Sequence, residues 1–348
     1  MKSLILVAYK FDGNWPFTAD AMHKIWKEEG ETIFIRFTKD EKRSLLEIVG
    51  DDAKDIFRLV SFNVLITVED LIHFPVLEEL GIHEKTNASQ IKEGAGHLYV
   101  YTQPSEGFWA ESVSEFGIAL TLCGLRRIPQ LHQAIQTSLK PWNYSQDPEN
   151  ILPNQRGAQY GDDPMFTSGT VSGKKIRILG AGNIASRYAQ CMTLLGAEVK
   201  VYDPFANEPC FTLAGAKKVW HLDELMKDAD IFVPMVPLME ATQGMVTENM
   251  IDSLPKGCLV VMVTRAGICH MPSIRRRVLN DEISLAADVF DKEPLPLDDP
   301  LLGRHNVVHT PHNAGRTEYS NQRVAEKLAE QFRKTSNTSI SKQLALTN

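Results

Sequence analysis

The sequence predicts an α/β protein built on parallel sheets and divided into about two domains. Short β-rich runs alternate with longer amphipathic stretches along most of the 348 residues, which is the pattern of βαβ units. At roughly 150 residues per domain, that length accommodates two cores. Hydrophobic residues at 43% and charged residues at 23% sit near soluble globular averages, so disorder and fibrous repeats are excluded. The formal charge of −7, with no run of five like charges, would repel a phosphate backbone or an anionic membrane surface. Neither nucleic acid nor a membrane is therefore expected as a partner.

Taken in order, the first third offers strands at residues 4–8, 32–37, 64–67 and 98–101, with helices between them. The run around Leu4 to Ala8 is too short for a leader's apolar region, and no small-residue cleavage site follows it. A long buried helix is expected from Val113 to Arg127, stopping at Ile128-Pro129 despite Gly117 and Gly124 inside it. Residues 142–173, rich in proline and glycine, read as a long arm that reaches a partner subunit or covers the site. Strands follow at residues 176–179, 199–202, 231–235, 259–263, 285–287 and 307–309, and the polar residues 336–348 are expected to fray. No window approaches the roughly 18 uninterrupted apolar residues of a membrane helix. Five widely spaced cysteines without a two-residue gap favour a reducing compartment and a cytoplasmic protein. The histidines show no metal spacing, so no metal is expected.

The strand at residues 176–179 runs into Gly180-Ala181-Gly182-Asn183-Ile184-Ala185, and a helical stretch from Ser186 to Leu195 follows. Gly180 permits the tight turn, Gly182 lets a pyrophosphate approach the backbone, and Ala185 is small enough for helix and strand to pack closely. The next strand ends at Asp203, about 20 residues beyond the turn, where a carboxylate accepts hydrogen bonds from ribose hydroxyls and repels a 2′-phosphate. The pattern points to NAD rather than NADP.

Three later strands each deliver polar residues at their carboxyl ends, where open parallel sheets bind ligands. Thr264 and Arg265 follow the first, Asp288 and then Glu293 the second, and Thr310, Pro311 and His312 the third. Reduction of a carbonyl by hydride needs a proton donor, and histidine titrates nearest neutrality. A small anionic substrate calls for a planar, permanently charged fork, which arginine supplies. A carboxylate beside the histidine orients its ring and favours the charged form.

At these residues the chain resembles the D-isomer-specific 2-hydroxyacid dehydrogenases, from about Leu4 to a helix ending near Phe332. The matching stretches are Gly180 to Ala185 with Asp203-Pro204, Asp228-Ala229-Asp230 through Val236-Pro237-Leu238 to Thr242, and Thr264-Arg265-Ala266-Gly267. Two more follow, Ala287-Asp288-Val289-Phe290 with Glu293-Pro294, and Thr310-Pro311-His312-Asn313-Ala314-Gly315. The resemblance implies two doubly wound parallel-sheet domains with the active site in the cleft. One is a Rossmann NAD-binding domain over residues 107–317; the other is a flavodoxin-like substrate domain over residues 1–106, completed by 318–348. It implies that Arg265 holds the substrate carboxylate and carbonyl, that His312 is the acid/base paired with Glu293, and that Asp288 lies near the nicotinamide carboxamide. It further implies cofactor contacts from Gly180, Gly182, Asn183, Ile184, Asp203, Val236, Pro237, Thr242, Thr264 and Gly315, and a homodimer.

Several residues depart from that pattern. Ala266 stands between the arginine and Gly267, and Met235 occupies a place where the family often has histidine. The family's glycine-rich substrate loop corresponds to His83-Glu84-Lys85-Thr86-Asn87, which holds no glycine, so Lys85 or Thr86 is the candidate for binding the substrate anion. Arg275-Arg276-Arg277 reads as a solvated helix face, Trp15, Trp26, Trp109 and Trp220 as core or interface residues, and His309 as a packed neighbour of the site. The expected activity is hydride transfer between NAD and a small 2-keto or D-2-hydroxy acid. Phosphite or formate oxidation on the same fold is the alternative within enzymes, although formate dehydrogenases of this family carry glutamine where Glu293 stands. A dinucleotide-sensing protein like the corepressors that resemble these dehydrogenases is the alternative outside them.

Overall fold

The computed structural model describes residues 2–83, 85–103, 108–142, 163 and 165–345, with the side chains of Lys85 and of residues beyond Phe332 outside the description. It divides into two units, Met1–Phe108 with Arg316–Asn348, and Trp109–Gly315. Each is a parallel sheet covered by helices.

Unit 1 holds β1 (Lys2–Val7), β2 (Glu31–Arg36), β3 (Ile56–Phe62), β4 (Glu79–Ile82) and β5 (Tyr99–Thr102), in the order β2-β1-β3-β4-β5. Every pairing is parallel, and the order reverses between β1 and β3. Strands buried on both faces read as continuous apolar runs, and β1 does so. One face packs Leu4, Leu6, Leu59 and Leu80 together; the other packs Ile5, Val7, Val60 and Phe62 against Trp26 and against Ala325, Leu328 and Phe332 of the helix Glu318–Ala345.

Three expectations for unit 1 change. Residues 64–67 are not a strand: the true third strand lies at Ile56–Phe62, and Leu65 is exposed. Strand β4 was hidden because Glu79 and Gly81 look like breakers; a Cβ at Gly81 would lie 2.9 Å from the Phe332 ring, so the helix packs there only on glycine. The backbone is helical through Ala345 instead of fraying from residue 336, and residues 346–348 lie outside the described residues.

Unit 2 holds β6 (Lys175–Leu179), β7 (Glu198–Tyr202), β8 (Lys217–Val219), β9 (Ile231–Pro234), β10 (Leu259–Met262), β11 (Ser284–Ala287) and β12 (Val307–His309). The order β12-β11-β10-β9-β6-β7-β8 is parallel throughout and reverses between β6 and β9. The short edge strand β8 carries two lysines, a composition that blunts sheet edges and hides the strand from a pattern search. The long helix spans Ala110–Arg126 and lies close on the sheet, where a Cβ at Gly124 would come within 2.9 Å of Leu259. Arg127 turns left-handed at φ 50° and a second helix, Ile128–Thr137, follows. Most of the arm, residues 143–162 and 164, lies outside the described residues.

Arg177 sits in mid-strand on β6 with no exposed surface. Its Nε and Nη2 donate to Asp228 at 2.7 Å each, and Nη2 also reaches Glu198 at 2.9 Å. Those bonds hold the Asp228 carboxyl down to about 2. The arginine run is a solvated face only at Arg276, which is exposed. Arg277 is buried, donating to the carbonyls of Ile251 and Leu254 at the end of the helix Glu248–Ser253, and Arg275 pairs with Asp291 and Asp299. Trp26 is a core residue, whereas the Trp220 ring is exposed, with the Lys218 ammonium 4.5 Å from its centroid.

Candidate active site

The turn after β6 is built for close approach. Gly180 has φ +105°, a conformation L side chains rarely adopt, and a Cβ there would sit 3.0 Å from both the Met235 carbonyl oxygen and Val236 Cγ1. The turn thus passes tightly over the end of β9, at the point where the strand order reverses. Gly182 faces open space, with no atom within 4 Å of the place its Cβ would take. It is also the N-cap of the helix Asn183–Leu194, whose first N–H groups receive no side-chain cap. Ala185 is buried between helix and sheet. Uncapped N–H groups beside an unobstructed glycine suit an anion such as pyrophosphate.

Asp203 is half-buried at the end of β7. Its Oδ2 accepts the Ala181 N–H at 2.8 Å, and its Oδ1 accepts those of Phe205 and Ala206 at 2.9 and 3.1 Å. The carboxylate therefore ties the glycine turn to its own loop, and a carboxylate has about four acceptor sites, so capacity for ribose hydroxyls remains. Val236 is half-buried and Pro237 exposed; the Thr242 hydroxyl donates to the Pro237 carbonyl at 2.6 Å and accepts the Met239 N–H at 2.8 Å, closing this loop on itself. Met235 is buried in the core beneath. The residues present fit a dinucleotide.

The neighbouring strands β10, β11 and β12 deliver the second group. After β10, the Thr264 hydroxyl donates to the Pro234 carbonyl at 3.1 Å and the exposed Arg265 donates through Nη1 to the Thr264 carbonyl at 2.7 Å. Ala266 is buried and leads into Gly267. After β11 and β12, Glu293 and His312 come together, with Nδ1 to Oε2 at 2.6 Å. The other Glu293 oxygen accepts the Phe290 N–H at 2.8 Å, so the carboxylate is pinned before it orients the ring. His312 Nδ1 is thereby engaged, which leaves Nε2 to exchange a proton.

Asp288 has no exposed surface, and both its oxygens point into the loop that carries His312. Oδ1 accepts the Thr310 hydroxyl at 2.6 Å and the Asn313 N–H at 3.0 Å; Oδ2 accepts the Ala314 N–H at 2.9 Å. Between these anchors His312 holds φ 53°, a left-handed conformation that costs a non-glycine residue about 1–3 kcal/mol. The anchoring of this loop on Asp288 by Thr310, Asn313 and Ala314 was missed in the sequence, where these residues stood only as part of a matching stretch. Gly315 is required by closeness, since a Cβ would meet the Trp109 ring at 2.9 Å. His309 is exposed rather than packed. Thr86 is exposed at the start of the helix Lys85–Gly94, and the Lys85 side chain lies outside the described residues. Among the described residues no three metal-binding side chains gather, and no helix is long and apolar enough to cross a membrane.

A glycine turn at the reversal point of an all-parallel sheet, with a carboxylate closing the following strand, defines a dinucleotide-binding protein of the Rossmann type. Residues 118–314 match the family described as D-isomer specific 2-hydroxyacid dehydrogenase, NAD binding domain. The chain belongs to this family, and NAD is its cofactor. It is 27% identical over 232 residues to a glyoxylate reductase of Korarchaeum cryptofilum, a match covering 66% of this chain and 64% of that one. It is 26% identical over 321 residues to a D-3-phosphoglycerate dehydrogenase of Methanocaldococcus jannaschii, covering 92% of this chain and 56% of that one. The chain thus spans less than two thirds of the length of these curated relatives. Its fold matches the NAD-complexed D-isomer specific 2-hydroxyacid dehydrogenase of Lactobacillus delbrueckii ssp. bulgaricus with a TM-score of 0.68 at 17% identity, over 95% of this chain and 97% of that one.

Proposed function

We propose that the protein is an NAD-dependent reductase of small 2-keto acids, and in the reverse direction a dehydrogenase of D-2-hydroxy acids. The observation that carries this reading is the His312 and Glu293 pair at 2.6 Å, on the unit that also holds the NAD-binding turn. When bound, NAD supplies the hydride chemistry. Arg265 provides the permanent positive fork for the substrate carboxylate and the carbonyl beside it. His312 donates a proton from Nε2 to the carbonyl oxygen as charge builds there, and in oxidation takes the hydroxyl proton back. Glu293 fixes the ring through Nδ1 and lies beside the charge that the protonated ring carries. Asp288 and Thr310 hold the loop on which His312 stands.

The reading extends to a homodimer in a reducing, cytoplasmic setting. Its support is the helix Ile128–Thr137, which buries none of its residues and leaves Ile128, Leu131 and Ile135 exposed, together with five free cysteines. Light scattering checks the mass. For the activity, NADH oxidation is measured with a panel of 2-keto acids against phosphite and formate oxidation by NAD. At least one keto acid should turn over, and His312→Ala should slow it about 10²- to 10⁴-fold with NADH binding retained. Turnover of phosphite or formate alone, or of nothing while NADH binds, would refute the proposal.

A further inference from the structure

The loop that brings Glu293 to His312 has little packing of its own. It runs from Phe290 to Leu301, both buried, and no residue of the stretch 291–300 between them is buried; Leu295, Pro296 and Asp299 are half-buried and the rest exposed. The stretch also carries Asp291, Glu293, Asp298 and Asp299 against Lys292 alone, so its like charges repel one another. Holding such a loop in one shape costs chain entropy that its own contacts do not offset.

The missing contacts come from Arg275, the first member of the arginine run. It stands in the helix Met271–Leu279, which is anchored in the core through Ile274 and Val278. Its guanidinium spans two carboxylates: Nε and Nη2 donate to Asp291, the latter at 2.8 Å, and Nη1 donates to Asp299 at 3.0 Å. Asp299 also accepts the Leu301 N–H at 2.9 Å, and Asp291 lies two residues before Glu293. The clasp therefore joins both ends of the stretch and encloses Glu293. The Arg275 side chain is 18% exposed and that of Asp299 8%, so water competes weakly for these charged bonds. A lysine could not replace it, because a single ammonium lacks the second arm that reaches the other carboxylate.

Resting on the reading of His312 as the acid/base and Glu293 as its partner, we propose that Arg275 is a positioning residue for the reaction. By clasping Asp291 and Asp299 it holds the loop that presents the Glu293 carboxylate to His312 Nδ1. Its neighbours in the run serve other contacts: Arg276 pairs with Asp252 and Glu248, and Arg277 donates to the carbonyls of Ile251 and Leu254.

The test measures kcat/KM for keto acid reduction against pH at saturating NADH, with NADH affinity read by fluorescence. Its variants are Arg275→Lys, Arg275→Gln and, as a control for charge on the same helix, Arg276→Gln. Arg275→Lys keeps the positive charge and breaks the two-armed clasp, so reduction should slow about 3- to 10-fold as the carboxylate drifts from the ring. The high-pH limb should move down by about 0.5 in pH, because His312 loses part of the neighbour that favours its charged form. Arg275→Gln should move the limb the same way and further. The sign is decisive, since loss of a cation acting only through its field would favour the imidazolium and move the limb up. NADH affinity should stay within about twofold throughout, and Arg276→Gln should behave as the native protein. In a Glu293→Ala background, with no carboxylate to present, Arg275→Lys should cost less than about twofold more. A limb that stays or rises, an undiminished loss in the Glu293→Ala background, or an equal loss of NADH affinity overturns the role of Arg275 alone. If Arg275→Gln does not fold, Arg275→Lys decides on the same readouts. A Glu293→Ala variant with native rate and pH profile overturns the underlying reading as well.

Discussion

Replacing Asp288 by asparagine separates two roles for the buried carboxylate at the end of β11. In the native protein three donors meet two oxygens: the Thr310 hydroxyl at 2.6 Å and the Asn313 N–H at 3.0 Å on one, the Ala314 N–H at 2.9 Å on the other. Asparagine has the same shape but only one acceptor oxygen. If that oxygen keeps Thr310 and Asn313, the amide NH₂ faces the Ala314 N–H donor to donor, and one buried N–H loses its partner at about 1–3 kcal/mol. The two surviving bonds lose the strength a charged acceptor gives them, roughly a further 1 kcal/mol. The sum, about 2–4 kcal/mol, falls on the residues that hold His312 at φ 53°. Moving that loop relieves it, and at 1.36 kcal/mol per tenfold in rate the expected loss of kcat is about 30- to 1000-fold. Steady-state kinetics with the preferred keto acid, alongside NADH titration by fluorescence, reads both quantities. A folded variant with native kcat and weakened NADH binding would refute the positioning role and make Asp288 a nicotinamide contact.

Three other outcomes follow from the same geometry. Glu293→Gln keeps an acceptor for His312 Nδ1 but removes the charge, so reduction should slow about tenfold at unchanged NADH affinity; an unchanged rate removes Glu293 from catalysis. Asp203→Ala should narrow the preference for NADH over NADPH by removing the repulsion of a 2′-phosphate, and equal affinity of the native protein for both would contradict the role assigned to Asp203. Asp228→Ala strips two bonds from the buried Arg177; because Asp228 is 37% exposed the cost is discounted to about 1–2 kcal/mol, or roughly 2–8 °C in Tm. Since the folded carboxyl is held down at about 2, its contribution is complete above about pH 4 and lost as pH falls toward 2, and the variant should lack this part of the acid dependence in calorimetry.

The glycine turn was legible because its cause is local: Gly180 and Gly182 next to a β-rich run, with Asp203 one βαβ unit later, state the backbone geometry outright. The pairing of Glu293 with His312 was legible from the resemblance, and the chemistry of a carboxylate beside a histidine at the end of an apolar run agreed with it. What escaped the sequence depends on partners remote along the chain. Arg58 made the stretch at Ile56–Phe62 look interrupted, yet it is buried under the compensation of Glu29 at 2.7 Å, Ser3 at 2.8 Å and the Trp26 ring 4.3 Å away. The arginine run looked solvated for the same reason, because the carbonyls that Arg277 caps belong to another helix. Asp288 was assigned to the cofactor by resemblance, while its three hydrogen bonds into the His312 loop cross to the next strand and leave no local signature.

The return of the chain to unit 1 after Gly315 sets an order on synthesis. A ribosome that has released residues 1–315 has delivered all of unit 2, which can close its own core. Unit 1, begun first, is still missing the helix Glu318–Ala345, and until it arrives the face of β1 and β3 beside Trp26 lacks Ala325, Leu328 and Phe332. The earlier-made sheet is therefore the later to finish and waits with an oily face in water while some two hundred residues are translated, about 10–40 s at roughly 5–20 residues per second. A chain cut before Ser320 should retain a folded unit 2 and bring down an aggregating unit 1, so damage in the helix Glu318–Ala345 reaches a sheet made some two hundred residues earlier.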